Sequence, residues 1–219
     1  MDLVVTDPPY EIKAGSAFVR RGGSVIGNGS GGYNSSDCSG WVGMLGCVKP
    51  LANIAAFHKR GDAWVIPNAT QWHRFYLVKK APPPTPRPCF VSAVEECSIY
   101  AVNGKGKRQW FGNGYRPNYW LGMTPNRLNA DYGHPSEKPL DAIETLVECL
   151  CPVGGLVLDP FAGSGTTGLA CKNLGRKAVL IEIEEKYVKI AAKRLAQPVL
   201  VPCDNIPLCR KNEIGGFDL

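Results

Sequence analysis

Short continuous apolar runs alternate along the chain with stretches in which apolar residues recur every three or four positions. The apolar runs predict buried strands at 3–5, 156–158 and 178–183. The periodic stretches predict helices at 139–151, 167–174 and 184–196. Because strands that alternate with helices usually pair in parallel, this pattern favours an α/β fold with a mostly parallel sheet.

The middle of the chain carries weaker patterns. Apolar residues at helix-like spacing predict a helix over 41–57. The run at 63–66 predicts a buried strand, and the residues at 71–77 predict a short helix. Residues 93–97 predict a turn or short helix that leads into a strand at 98–102.

Two segments are unsuited to a packed core. Residues 14–40 are rich in glycine and serine, so they predict a flexible loop. Two interpretations of that loop stay open: a plain surface loop, or a lid that orders over a ligand. Five prolines between positions 82 and 88 exclude a helix or a central strand there. The tail from 197 onward contains one candidate strand at 199–201.

The composition is that of a soluble globular protein, since 44% of the 219 residues are hydrophobic and 20% are charged. This length predicts a single domain over 1–219. No apolar run approaches the roughly 18 residues of a membrane span, and the first residues lack a signal-peptide pattern, so we expect a cytoplasmic protein. Nine cysteines without a Cys-x-x-Cys pair, and only three histidines, predict reduced thiols and no metal site.

The stretch Asp7-Pro8-Pro9-Tyr10 directly follows the first predicted strand. Each proline fixes its own φ and lacks an N–H, so the backbone leaves the strand in a stiff, extended turn with unpaired carbonyl groups. A carboxylate and a backbone carbonyl can accept the two N–H bonds of an amino group, while the Tyr10 ring stacks on a flat ring. The stretch therefore suits a planar ring that carries an amino group; an ordinary proline-rich turn is the alternative.

The stretch 156–167 combines a strand, an acid at its end, a glycine-rich turn and the start of a helix. Asp159 can pair with an ammonium group, and Gly163 and Gly165 let the backbone approach a ligand. Because a helix N-terminus favours a carboxylate, the three features together fit the zwitterionic end of an amino acid. Glu182 ends the next predicted strand, where an acid can bind ribose hydroxyls; a solvated strand end is the alternative.

Basic and aromatic residues alternate between positions 103 and 133. The cations that we single out there as nucleic-acid contacts are Lys105, Lys107, Arg108 and Arg116. Interleaved cations and rings suit a nucleic-acid groove, in which cations meet phosphates and rings stack on bases. The net charge of +6 agrees with a polyanionic partner. The alternative is a glycine-rich excursion whose aromatic residues pack against their own domain.

Three motifs follow one another in a fixed order: Asp7-Pro8-Pro9-Tyr10, then His134-Pro135-Ser136-Glu137-Lys138-Pro139, then residues 156–167. In this order they resemble the beta class of amino DNA methyltransferases, over about residues 2–196. The resemblance implies an α/β, Rossmann-like methyltransferase fold of three layers that uses S-adenosylmethionine. It further implies methylation of adenine N6 in double-stranded DNA, a bacterial or phage restriction-modification context, and a protein that can form a homodimer.

The resemblance also assigns roles to residues. The expected catalytic residues are Asp7, Pro8, Pro9 and Tyr10. The expected cofactor contacts are His134, Lys138, Asp159, Pro160, Phe161, Ala162, Gly163, Ser164, Gly165, Thr166, Thr167 and Glu182. Residues 103–133 take the place of the family's DNA-recognition region, and residues 14–40 that of a loop that closes over DNA or cofactor. In the implied fold, Asp7 and Asp159 end neighbouring strands at the same edge of the sheet.

Two alternatives stay open. Cytosine-N4 methylation uses similar motifs, although an acid rather than a serine in the first motif favours adenine. The other alternative is a catalytically inactive DNA-binding relic, because family members usually carry a further strand and an acid before the first motif, for which the sequence has no room. A related hypothesis places residues 199–204 where that strand would lie.

Overall fold

A computed structural model describes residues 1–8, 18–19, 25–26, 44–58, 63–80, 90, 92–103, 107–123 and 137–197. Its strands are β1 (Leu3–Thr6), β2 (Phe18–Val19), β3 (Val25–Ile26), β4 (Asn53–His58), β5 (Ala69–Lys79), β6 (Val94–Val102), β7 (Tyr119–Gly122), β8 (Leu156–Asp159) and β9 (Lys177–Leu180). Its α-helices are α1 (Leu140–Leu150), α2 (Thr166–Asn173) and α3 (Glu185–Ala196), and Met44–Cys47 form a 3-10 turn.

Seven of these strands form one sheet in the order β7-β5-β6-β4-β1-β8-β9. Strand β6 is antiparallel to both β4 and β5, and every other neighbouring pair in this sheet is parallel. This arrangement confirms the predicted α/β fold with a mostly parallel sheet. Strand β1 lies near the centre of the sheet, between β4 and β8. Strands β2 and β3 form a separate antiparallel pair.

Both faces of the central strands are buried, which explains why their sequences are continuously apolar. On one face, α1 covers β1 and β4, because Ile143 and Leu146 pack into the same core as Val5 and Phe57. On the other face, Val4 packs in a second core with residues of the segments that flank β4: Val48, Ala52, Trp64 and Ile66. The described residues thus place the sheet between a helical layer and a layer of turn and connecting chain.

The helix predicted over 41–57 is wrong. Met44–Cys47 form only a short 3-10 turn, and all six residues of Asn53–His58 are buried in a strand. Leu51 separates the two elements with a φ of 70°, which a continuous helix does not allow. Because β4 is covered on both faces, its apolar run shows no alternation, and such a run matches a helical pattern as well as a strand.

Three further predictions for the middle of the chain are wrong. Residues 71–77 lie inside β5 rather than in a helix, and Phe75 and Leu77 alternate there with more exposed side chains. This alternation, with aromatic and β-branched residues, is typical of a strand with one buried face. Residues 63–66 belong to no strand, and Trp64 donates from Nε1 to the Phe57 carbonyl, 2.9 Å away. The turn or helix predicted at 93–97 belongs mostly to β6, which begins at Val94.

The elements that carry the motifs agree with prediction more closely. Strands β1 and β8 and helices α1, α2 and α3 lie where the pattern predicts them, within one or two residues. Strand β9 ends at Leu180, three residues before the predicted end. The sequence pattern does not predict β7. Most of 14–40, the prolines at 82–88 and the candidate strand at 199–201 lie outside the described residues. No described helix is long and apolar enough to cross a lipid bilayer.

Candidate functional site

Two acidic residues end neighbouring strands at one edge of the sheet. Asp7 follows β1, Asp159 is the last residue of β8, and the two strands pair in parallel. Because parallel strands bring their carboxyl ends together, this edge is where α/β proteins usually bind ligands. We call it the carboxyl edge. The structure therefore brings together the acids of the first and third sequence motifs.

The carboxylate of Asp7 belongs to a chain of alternating charges. The ammonium of Lys138 bonds to Oδ2 of Asp7 and lies 3.2 Å from Oε2 of Glu95. Glu95 pairs in turn with Lys79 of β5. We call Asp7, Lys138, Glu95 and Lys79 the charge chain. Pro8 is buried beside it, whereas the predicted catalytic residues Pro9 and Tyr10 lie outside the described residues.

Within the charge chain, Lys138 and Glu95 favour their ionised forms although both are partly buried. Burial by itself would lower the pKa of Lys138, but the carboxylates of Asp7 and Glu95 outweigh it and hold that pKa above its ordinary value. Burial would raise the pKa of Glu95, but Lys138 and Lys79 bring it below its ordinary value. The contacts of Lys138 thus favour its ammonium form, and 13% of its side chain is exposed.

Asp159 is buried at the end of β8, with both carboxylate oxygens bonded to the loop that follows. The N–H of Phe161 donates to Oδ1 over 3.0 Å, and the hydroxyl of Thr167 donates to Oδ2 over 2.6 Å. Burial raises the pKa of Asp159 to about 7, and the nearby carboxylates of Asp7 and Glu182 add to the rise against these two hydrogen bonds. A carboxylate in such surroundings is stabilised by a cation placed next to it.

Glu182 holds the turn between Asp159 and α2 in place. Its Oε2 accepts the N–H of Gly163 over 2.8 Å, and its Oε1 accepts the N–H of Glu184 over 2.8 Å. Each oxygen keeps acceptor capacity for a ligand hydroxyl. Gly165, just before α2, has a φ of 82°, and a Cβ there would lie 2.9 Å from the Cβ of Ala191. Only glycine therefore fits this close approach of the turn to α3.

A buried ion pair between Arg194 and Glu137 stabilises the same turn. Nη1 of Arg194 lies 2.7 Å from Oε1 of Glu137, and each side chain is only 5% exposed. The same Nη1 donates to Oγ1 of Thr166 over 3.1 Å and lies 3.4 Å from Oγ of Ser164. Glu137 belongs to the second motif and Arg194 to α3, so this contact joins three separate parts of the chain around the predicted cofactor turn.

We expect the substitution Glu137→Gln to lower the free energy of unfolding by about 3–5 kcal/mol, because it leaves a buried guanidinium without its carboxylate. Urea unfolding followed by circular dichroism measures the change. The matched control is Glu148→Gln, which removes an exposed pair with Arg116 and should cost at most about 1 kcal/mol. Equal losses in the two variants would contradict a bracing role for Glu137.

Those predicted DNA contacts that the structure describes lie away from the carboxyl edge. The side-chain amide of Asn53, the first residue of β4, donates to the carbonyl of Gln109 over 3.0 Å. The chain next to Gln109, with the exposed Lys107 and Arg108, therefore lies near the opposite edge of the sheet, where the parallel strands begin. Lys105 lies outside the described residues.

Arg108 and Arg116 line a cavity of about 500 Å³ between β5 and α1. The guanidinium of Arg108 lies 5.7 Å from the centre of the Trp72 ring, and that of Arg116 lies 3.3 Å from Glu148. Both cations thus have partners within the protein. Their role as DNA contacts stays a prediction, as do the roles of the residues at the carboxyl edge.

Sequence reasoning missed several residues of the site. Glu95, Lys79 and Arg194 join it from strands and helices outside the motifs, and Glu137 was a variable position within one. Lys138 was predicted as a cofactor contact, but its described partners are Asp7 and Glu95. His134 lies outside the described residues. Within the described ranges, no group of three or more His, Cys, Asp or Glu side chains is placed to hold a metal ion.

Comparison with known proteins places this geometry in context. A family model described as DNA methylase, N6_N4_Mtase, matches residues 1–193. The chain is 27% identical to the type II methyltransferase M2.DpnII of Streptococcus pneumoniae, over 89% of this chain and 82% of that protein. It is 28% identical to the type II methyltransferase M2.LlaDCHI of Lactococcus lactis subsp. cremoris, with the same coverage of both chains.

Solved structures show the same fold. The complex of M1.HpyAVI with S-adenosylmethionine superposes with a TM-score of 0.66 and 25% identity, over 90% of this chain and 89% of that one. The cytosine-N4-specific PvuII DNA methyltransferase superposes with a TM-score of 0.61, over 92% of this chain and 81% of that one. At 19% identity, the second likeness shows the fold alone.

Proposed function

The chain belongs to the DNA methylase family, and on that premise we propose that it transfers the methyl group of S-adenosylmethionine to N6 of adenine in double-stranded DNA. The observation that carries the proposal is the pairing of β1 with β8, which places Asp7 beside the turn that follows Asp159. A methyl donor held by that turn and an amino group held by Asp7 would meet at the carboxyl edge.

The residues of the carboxyl edge fit the chemistry of S-adenosylmethionine. Asp159, a buried acid whose pKa is raised, would be stabilised by the ammonium of the methionine end. The N-terminus of α2 offers N–H groups to its carboxylate, and Glu182 would accept ribose hydroxyls. When bound, the cofactor supplies an electrophilic methyl group on a sulfonium centre.

Asp7 would prepare the amino group for attack. The amino group of a nucleobase is a poor nucleophile, because its lone pair is delocalised into the ring. Asp7 and the carbonyl of Pro8 would accept its two N–H bonds, favouring a pyramidal nitrogen with an exposed lone pair. A weakly basic carboxylate suffices for the proton, because the nitrogen becomes acidic as the methyl group bonds to it. The rest of the catalysis is positioning and electrostatic stabilisation.

The target base must leave the DNA stack to reach this edge. Tyr10 is the residue that we propose to stack on the extruded ring. Residues 103–133 are the proposed recognition region, with Lys105, Lys107, Arg108 and Arg116 as phosphate contacts, and 14–40 is the proposed closing loop. A homodimer and a single domain over 1–219 belong to the same proposal, as does a cytoplasmic setting in a bacterium or phage-infected cell.

Adenine rather than cytosine is proposed because the first motif begins with an acid, Asp7, and not with a serine. Cytosine-N4 transfer is the second candidate, since the cytosine-specific PvuII enzyme shares the fold. A catalytically inactive DNA-binding relic is less well supported, because Asp7, Asp159 and Glu182 are all present and converge at one edge.

The test is methyl transfer from tritiated S-adenosylmethionine to unmethylated DNA, followed by nucleoside analysis of the product. We expect the label on N6-methyladenine. Label on N4-methylcytosine would be consistent with the same mechanism but would show that the target base is cytosine and not adenine. If no label is found and calorimetry also detects no cofactor binding, the inactive relic is the better account.

A further inference from the structure

The ammonium of Lys138 lies on the side of Asp7 that faces away from the predicted cofactor turn. The sheet order places β4 and β6 on one side of β1 and β8 on the other. Lys138 contacts Glu95 of β6 and lies 5.1 Å from the ring centre of Phe57 in β4. Asp159 and its turn follow β8. Lys138 therefore belongs with the catalytic acid rather than with the cofactor turn.

Within the charge chain, Lys138 has two carboxylate partners. It bonds to Oδ2 of Asp7 and also contacts Oε2 of Glu95, which Lys79 pairs from its far side. Two carboxylates and two ammonium groups balance one another, so no member of this partly buried chain carries an uncompensated charge. If another hydrogen-bond donor took over Asp7, Lys138 would keep Glu95 as a partner.

We propose that Lys138, held by Glu95, is a positioning residue that orients the carboxylate of Asp7 and yields to the amino group of the target base. The inference rests on the proposed function, because it names how that same site is prepared. In the DNA-free enzyme, an N–H of the ammonium occupies an acceptor position on Asp7 that the amino group of the base will need. As the base enters, Lys138 withdraws toward Glu95 and still neutralises the charge beside the reacting nitrogen.

The positive charge of Lys138 also contributes to the rate of methyl transfer. The negative charges of Asp7 and Glu182 both act on Asp159, so this edge of the sheet collects negative charge. Lys138 places a positive charge against the carboxylate of Asp7, so its removal would leave that carboxylate without its ammonium partner beside the reacting nitrogen. The contribution of Lys138 therefore concerns the rate of transfer, and cofactor affinity depends on the residues of the turn after β8.

The substitution Lys138→Met tests this inference. We expect kcat for methyl transfer to fall by about 10- to 100-fold, the value of a hydrogen bond to a charged group. The dissociation constant of S-adenosylmethionine, measured by calorimetry, should change by less than about twofold. Lys138→Arg should restore part of kcat, because it returns the positive charge with a different geometry. Glu95→Gln should also lower kcat at unchanged cofactor affinity. This second variant tests the inference even if Lys138→Met does not fold.

The matched control is Lys49→Met. Lys49 pairs with Asp2 over 2.7 Å at the opposite edge of the sheet, so its removal should leave kcat unchanged. A tenfold loss of cofactor affinity in Lys138→Met would overturn the inference and return Lys138 to the cofactor site. Wild-type kcat in both Lys138→Met and Glu95→Gln would overturn it too. A wild-type protein that methylates neither base would instead reject the proposed function, and the inference with it.

Discussion

Replacing Asp7 with alanine is expected to lower kcat for methyl transfer by about 100- to 1000-fold, the usual cost of removing one preorganised polar group from a reacting centre. The lost carboxylate would accept one N–H of the target amino group, so the nitrogen would keep its lone pair delocalised in the ring. The affinity for S-adenosylmethionine should stay within a few-fold of wild type, because the turn after Asp159 is intact.

Single-turnover transfer of the tritiated methyl group measures the loss without interference from product release. Asp7→Asn is the informative companion, since the amide keeps the shape and one acceptor oxygen but not the charge. It should recover only a small part of the rate, because its one acceptor oxygen would accept from the ammonium of Lys138 and its NH₂ group would then face the target amino group. The control is Asp2→Asn, at the far edge of the sheet. An alanine variant with wild-type kcat would remove Asp7 from the mechanism.

The site elements could be predicted because their signals are local. In β8, the following turn and α2, a strand, an acid, glycines and a helix succeed one another within eighteen residues, 156–173. The requirement for glycine at 165 is also local in the sequence, although its reason, the contact with Ala191, is not. Chain order then predicted that Asp7 and Asp159 would share an edge, because parallel strands align their ends.

The middle of the chain could not be predicted in the same way. Whether Asn53–His58 is a helix or a strand depends on its neighbours β1 and β6, which supply the hydrogen bonds and cover the edges of the strand. The apolar run alone does not contain that information. The same holds for β5, whose alternation becomes meaningful only once β6 and β7 pair with it.

The charge chain shows that contacts between side chains from different parts of the sequence are not predicted from single motifs. Lys138 stands in the second motif, and the family resemblance of that motif implied a cofactor role. In space it joins Asp7, 131 residues away in sequence, because α1 begins two residues after Lys138 and packs against β1. Glu95 carries no motif at all, so only the fold reveals it as the partner of Lys138.

Cofactor binding is expected to depend on pH through Asp159. Its pKa of about 7 in the free protein means that it is half protonated near neutrality. An ammonium group bound beside it favours the ionised form, so binding must release a proton from the protonated fraction. The affinity for S-adenosylmethionine should therefore rise with pH, by up to about tenfold per unit below pH 7, and level off above it.

Calorimetry from pH 5.5 to 8.5, in buffers of different ionisation enthalpy, measures both the affinity and the proton release. Asp159→Asn should abolish the dependence of affinity on pH and lower the affinity at pH 8 by about 10- to 100-fold, the value of a charged hydrogen bond.

The pH dependence of folding stability provides an independent check on the direction of the Asp159 pKa shift. The folded pKa lies above the unfolded value of 3.8, so the folded state holds more protons between about pH 4 and 7, and its stability falls as the pH rises through that window. Asp159→Asn removes this contribution, so the ligand-free variant should lose less stability between pH 5 and 8 than the wild type. If the cofactor affinity of Asp159→Asn keeps the wild-type dependence on pH, the titrating group is not Asp159 and the ammonium of the cofactor binds elsewhere.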